Sequence, residues 1–112
     1  MERTLTWDEF LNVDIRIGTI VQAEKFEEVK KPAYKLLIDF GVLGTRKTSA
    51  QITKLYSAEE LIGKQVVAVV NFPDKQIANI MSQCLVLGAV GSQGEVVLLN
   101  PDRPVENGLR IG

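Results

Sequence analysis

Between residues 13 and 23, Val13, Ile15, Ile17, Thr19, Val21 and Ala23 alternate with Asp14, Arg16, Gly18, Ile20 and Gln22. A period of two is the signature of a strand with one face buried and one solvated, and it is incompatible with an amphipathic helix. The first set is expected to face inward, and Gly18 to mark a bend or bulge of the kind barrel strands need. The pattern recurs. Tyr34, Leu36, Ile38 and Phe40 alternate with Lys35, Leu37 and Asp39, the stretch 41–44 reads as a hairpin connection, and 45–51 as the returning strand. Residues 65–70 form a β-branched run that ends at the breakers Asn71-Phe72-Pro73-Asp74. Residues 82–90 read as one further buried strand and 95–99 as a last one. Two short helices are signalled by capping boxes, Thr6-x-x-Glu9 and Ser57-x-x-Glu60, the second closed by Gly63. Three strands, a short helix and two strands is the order of the OB-fold, a five-stranded Greek-key barrel, although other small barrels share it. The expectation is all-β, with the barrel over about 13–90 and extensions at 1–12 and 91–112.

A chain of 112 residues buries roughly two thirds of its extended surface and needs no metal or disulfide staple. Histidine is absent and cysteine occurs once, at Cys84. This excludes His-based acid–base chemistry, a His/Cys zinc site and an internal disulfide. No phosphate-binding glycine loop is present: Gly63-Lys64 lacks the flanking residues, and Gly88, Gly91 and Gly94 do not fit a dinucleotide fingerprint. A non-catalytic binding protein without cofactor or metal is expected. No signal peptide or membrane-length apolar run is seen, so the cytoplasm is the expected compartment.

The net charge of −1 is a cancellation. Residues 1–28 hold three cations against seven carboxylates, whereas residues 29–64 hold seven against three. Screening confines fields to about a Debye length, so the basic middle still attracts an anionic partner.

The segment Asp14-Ile15-Arg16-Ile17-Gly18-Thr19-Ile20 resembles the opening of the tRNA-binding OB domain, found appended to aminoacyl-tRNA synthetases and as free-standing proteins. The blocks Lys35–Gly41, Ser49–Lys54, Lys64–Pro73, Leu85–Ala89, Val96–Pro101 and Pro104–Gly108 are more similar to its CsaA branch of protein-export chaperones. That resemblance implies a cytoplasmic OB-fold homodimer that binds unfolded preproteins and the SecA translocation motor. The tRNA-binding branch carries a loop of the form N-L-K-P-x-K-M-R-G-x-x-S. Here residues 71–82 keep Asn71 and Ser82 but replace the Lys-Met-Arg-Gly core with Gln76-Ile77-Ala78-Asn79, leaving Lys75 as the only loop cation. Fewer phosphate contacts weaken RNA binding, so peptide binding ranks first, through Phe72, Ile77, Ile80, Met81 and Tyr34. The alternative for Ile77 and Ile80 is a core or dimer role. RNA binding ranks second, through Arg46, Lys47, Lys54, Asn71, Lys75 and Ser82, against a solvated hairpin end for Arg46-Lys47. Trp7, Phe10, Leu11, Val96, Leu98, Leu109 and Ile111 are apolar residues outside the barrel plan, and a two-fold interface is their expected use.

Overall fold

The computed structural model describes residues 3–112, which leaves Met1 and Glu2 of the expected N-terminal extension outside the described residues. Helix α1 (Trp7–Leu11) and helix α2 (Ala58–Leu61) start on the two capping boxes, with both reciprocal hydrogen bonds formed in each. The strands are β1 (Ile15–Lys25), β2 (Tyr34–Asp39), β3 (Thr45–Ala50), β4 (Gln65–Val69), β5 (Lys75–Ile77), β6 (Ile80–Ser82), β7 (Leu85–Val86), β8 (Gly88–Val90) and β9 (Val96–Leu98). Five of them form an antiparallel sheet in the order β3-β2-β1-β4-β7.

The length of β1 makes the barrel. Its first half, Ile15–Thr19, pairs with β4, and its second half, Thr19–Lys25, pairs with β2. The sheet curls until β3 meets the chain before β7: Gln83 N donates to Lys47 O at 2.8 Å, and Lys47 N donates to Gln83 Oε1 at 3.0 Å. This is a nearly closed five-stranded OB barrel. Its interior holds Ile20, Leu36, Ile38, Phe40, Ile52, Leu61, Val66, Ala68, Val70, Cys84 and Leu98.

Four sequence expectations are corrected. The bulge in β1 falls between Ile20 and Gln22, not at Gly18. Gly18 lies against the core, where a Cβ would stand 2.7 Å from atoms of Ile38 and Phe40. Glycine is required there for close approach rather than for bending. The face of β1 is also reversed: Gly18 and Ile20 meet the core, and the extra residue of the bulge brings Ala23 to the same side while Val21 is left exposed. Ile17 is buried outside that cluster, where the C-terminal tail supplies its backbone partners. The stretch 82–90 is not one buried strand. It closes on β3, pairs with β4 as β7, then leaves the barrel as β8, with Leu85 and Val90 exposed. Finally, Leu98 is a core residue and Val96 packs against that core. The backbone amide of Leu98 donates to the Tyr56 hydroxyl at 3.0 Å, so these two side chains are turned into their own chain rather than offered to a partner.

The tail behaves as a short added strand on the edge of β1 that β2 leaves free. Gly108 N donates to Ile17 O, Ile17 N to Leu109 O and Ile111 N to Ile15 O, at 2.7 to 3.0 Å. Asp14 sits beside it, bonded by Arg16 at 2.6 Å with Arg110 at 3.8 Å. The Arg16 hydrogen bond, aided by the charges of Arg16, Arg110 and Arg46, holds the Asp14 carboxyl below its usual pKa despite partial burial. A depressed carboxyl stabilises the fold above its unfolded pKa, about 4, and that contribution disappears as pH falls through the lower folded value. Acid titration of urea stability is expected to show a loss below about pH 4 that is smaller in Asp14→Asn. Identical acid slopes in the two proteins would contradict the assignment.

Candidate binding groove

After β4 the chain reaches Asn71, whose amide is fully engaged. Its Oδ1 accepts from Asp14 N at 3.0 Å, and its Nδ2 donates to Asn12 O at 2.7 Å. Asn71 therefore ties the α1–β1 junction to the end of β4. From there β5 and β6 form a two-stranded hairpin, turned at Ala78 and Asn79, with Ala78 at φ +48°. Asn79 Nδ2 donates to Glu28 Oε2 at 3.4 Å, which links the hairpin tip to the loop between β1 and β2. The sequence showed breakers here but not the hairpin, because three-residue strands are too short to display a period.

The hairpin leans over the edge of β3 and leaves two connected clefts. One, about 540 Å³, lies between the β1–β2 loop, β3 and the hairpin, and is lined by Val29, Lys30, Lys31, Ser49, Gln51, Lys75, Ile77 and Leu85 among others. The second, about 510 Å³, is lined by Phe72, Pro73, Asp74, Lys75, Ser82, Cys84 and Leu85. Lys75, Ser82, Cys84 and Leu85 belong to both, so the two form one groove around the hairpin base.

Of the residues proposed for peptide binding, the groove gathers Phe72 and Ile77. Phe72 is 54% exposed. Ile80 is on the same hairpin but lines a separate cleft with Gln22, Glu24, Lys35, Leu37 and Lys47. Met81 is exposed and lies opposite Gln76. Tyr34 is not part of this surface: it packs against the core and its hydroxyl donates to Tyr56 O at 2.7 Å.

The residues proposed for RNA contact are dispersed. Lys75 lines the groove and Lys47 the Ile80 cleft. Arg46 donates to Val70 O at 2.6 Å, and Lys54 donates to Gln93 O in the β8–β9 turn. Ser82 lines the groove with Lys75, and its hydroxyl is 3.0 Å from the Thr48 hydroxyl at the barrel closure. Asn71 and Ser82 thus hold the scaffold of this loop together. Sequence reasoning missed Lys30, Lys31, Gln51 and Leu85. The signal was the Lys30-Lys31-Pro32 turn, which joins β1 to β2 at the end of the barrel where the β4–β7 loop also lies.

Cys84 lines the groove only with a mostly buried face, and burial pushes its thiol up to about 11, so it is a neutral packing residue. Among the described residues, no three His, Cys, Asp or Glu side chains come together as a metal site, and no helix is long and apolar enough to cross a membrane.

Residues 15–110 match the family model described as "Putative tRNA binding domain". The chaperone CsaA of Bacillus anthracis has a solved structure with a TM-score of 0.94 and 51% identity, covering 98% of this chain and 100% of that one. The CsaA chaperone protein of Picrophilus torridus gives 0.90 and 50%, covering 97% and 100%. The methionine–tRNA ligase of Chlorobium phaeobacteroides is 37% identical over 107 residues, which is 96% of this chain but 15% of the ligase. The chain therefore spans about a seventh of the ligases it matches, and the likeness to them concerns one binding domain. A barrel closed on β3, an added tail strand and near-complete coverage in both directions place this chain in the tRNA-binding-domain family, in its CsaA branch.

Proposed function

We propose that this protein is a chaperone that holds unfolded preprotein segments in the groove around the β5–β6 hairpin. The observation that carries this reading is the apolar lining: Phe72, Ile77 and Leu85 stand in one open groove where tRNA-binding relatives are more cationic. Apolar side chains exposed together at the surface of a small barrel are suited to exposed apolar segments of a client. The likeness to chaperones named CsaA supports the same reading, and the cytoplasm and the SecA motor enter it through that family. Phe72→Ala with Ile77→Ser is expected to lower affinity for an unfolded preprotein by about thirtyfold, as two apolar contacts of about 1 kcal/mol each are lost, with the thermal transition retained. Unchanged suppression of client aggregation by this variant would sink the reading.

A second reading, tRNA binding, is favoured by a different feature of the same groove. Lys30, Lys31 and Lys75 converge on it, and no carboxylate lines the cleft they share. OB-folds combine such a cationic groove with stacking side chains, and Phe72 offers one.

The protein is further proposed to act as a two-fold dimer. Trp7 is 84% exposed, and with Leu5, Phe10 and Gly112 it lines a cleft of about 380 Å³. Leu11, Leu109 and Ile111 are exposed, and so are Val90, Val97 and Leu99 of the β8–β9 arm. Light scattering at micromolar concentration is expected to give twice the chain mass, and Trp7→Ser with Leu11→Ser to shift it to the monomer. A monomeric mass for the wild type would remove the dimer.

A further inference from the structure

We infer that the client segment binds as an extra strand on the free edge of β3 at Ser49, and that the preferred client is an extended peptide alternating apolar and acidic residues. This rests on the peptide-binding reading and adds how the peptide is held.

The inference starts from Lys47. Its N–H donates to Gln83 Oε1 at 3.0 Å and its C=O accepts from Gln83 N at 2.8 Å. Both main-chain groups of Lys47 therefore point away from β2. In an antiparallel ladder the direction of these groups repeats every second residue. Ser49 faces Lys35 as Lys47 faces Leu37, so the N–H and C=O of Ser49 point away from β2 as well. At Lys47 the barrel closure fills that side. At Ser49 no main-chain hydrogen bond does: β6 ends at Ser82, and β7, although it runs near β3, is paired with β4. The Thr48 hydroxyl lies 3.4 Å from Ser49 O but only 2.7 Å from Cys84 O. A hydroxyl has one proton to give, and the shorter contact takes it. Ser49 is thus left with a donor and an acceptor unpaired, side by side, opening into the groove that it lines.

An unpaired strand edge is a template for another chain, and peptide recognition by strand addition uses such an edge for main-chain bonds and flanking pockets for alternate side chains. The groove supplies both kinds of flank. Ile77 and Leu85 are apolar, whereas Lys30, Lys31 and Lys75 carry ammonium groups in the cleft beside Ser49, which no carboxylate lines; Asp74 stands in the adjoining cleft. Successive side chains of an added strand point to opposite faces. A segment with apolar residues on one face and Asp or Glu on the other meets both sets. Main-chain bonding explains how one groove accepts many clients, because every non-proline residue brings the same donor and acceptor.

The test uses short fluorescent peptides of alternating Val and Glu, binding the intact protein. One version is N-methylated on the Val residues and another on the Glu residues, so that each loses the donors along one edge. One methylated version is expected to bind about tenfold more weakly and the other nearly as well as the parent, since a strand offers only one edge to β3. Ser49→Pro removes the N–H at an edge position that tolerates proline, and is expected to reproduce the loss of peptide affinity. A Val/Lys peptide is expected to bind at least about tenfold more weakly than Val/Glu. Equal effects of the two methylation registers, or tighter binding of Val/Lys, overturn strand addition or its charge preference while peptide binding itself stands. Failure of both the peptides and an unfolded preprotein to bind overturns the chaperone reading together with this inference. A Ser49→Pro protein that loses tRNA but not peptide assigns the edge to RNA and also overturns it.

Discussion

Phe40→Ala is expected to remove about 3–5 kcal/mol of stability, the range for deleting a large aromatic from a closed core. Phe40 is fully buried, among the core residues from β2, β4 and the loop before α2. A domain of this size is stable by about 5–15 kcal/mol, so the loss takes a large share of it, and the urea midpoint falls accordingly. The complementary change is Gly18→Ala. The new methyl would stand 2.7 Å from Ile38 Cγ2 and from the Phe40 ring edge, well inside contact distance, and overpacking of this kind costs about 1–3 kcal/mol. The two changes share one space. Gly18→Ala adds the methyl that the Phe40→Ala cavity can receive, so the double variant is expected to be more stable than the sum of the two losses, by about 1 kcal/mol or more. Strict additivity in urea titrations of the four proteins would mean that Gly18 is not held as glycine by Phe40, and the account of the β1–β2 packing would be wrong.

That packing also shows where the sequence was legible. Alternation located β1 and β2, the hairpin connection located β3, and the capping boxes located the start of both helices, because each is a local pattern carrying its own hydrogen-bond logic. What alternation could not show is which face turns inward once an extra residue enters the strand. The bulge after Ile20 exchanges the faces of β1, and nothing local to Ile20-Val21-Gln22 marks it. The site was half visible. Phe72, Lys75 and Ile77, which line the candidate groove, stand out in the sequence because their loop departs from the tRNA-binding pattern. Asn71 and Ser82 were placed in RNA contact because they match that pattern, yet their side chains bind Asp14 N, Asn12 O and the Thr48 hydroxyl. A retained motif residue is as easily a brace for the loop as a ligand of the RNA. Lys30 and Lys31 were passed over because their partners across the groove, Lys75 and Ile77, lie more than forty positions away and only the barrel brings them together.

The same distinction between brace and ligand gives the second large effect. Replacing Lys30, Lys31 and Lys75 with Ala is expected to weaken tRNA binding by about two orders of magnitude near 0.1 M salt, and to flatten the plot of log affinity against log salt by about 2–3 units, as three phosphate contacts are lost at roughly 0.7–0.9 each. Lys54→Ala serves as the matched control: its ammonium is on the Gln93 carbonyl, away from the groove, so the slope should stay within about one unit of the wild type. Asn71→Ala is expected to lower stability by about 1–3 kcal/mol, because the Asp14 amide and the Asn12 carbonyl lose their partner, and to leave the salt slope alone. If the slope falls with Asn71→Ala but not with the triple lysine variant, the RNA follows the family's loop motif rather than this groove. If wild-type protein binds no tRNA at low salt, the cations serve acidic clients alone. Anisotropy titrations at two salt concentrations separate these outcomes, because releasing counterions from phosphates changes the slope whereas an apolar contact leaves it nearly flat.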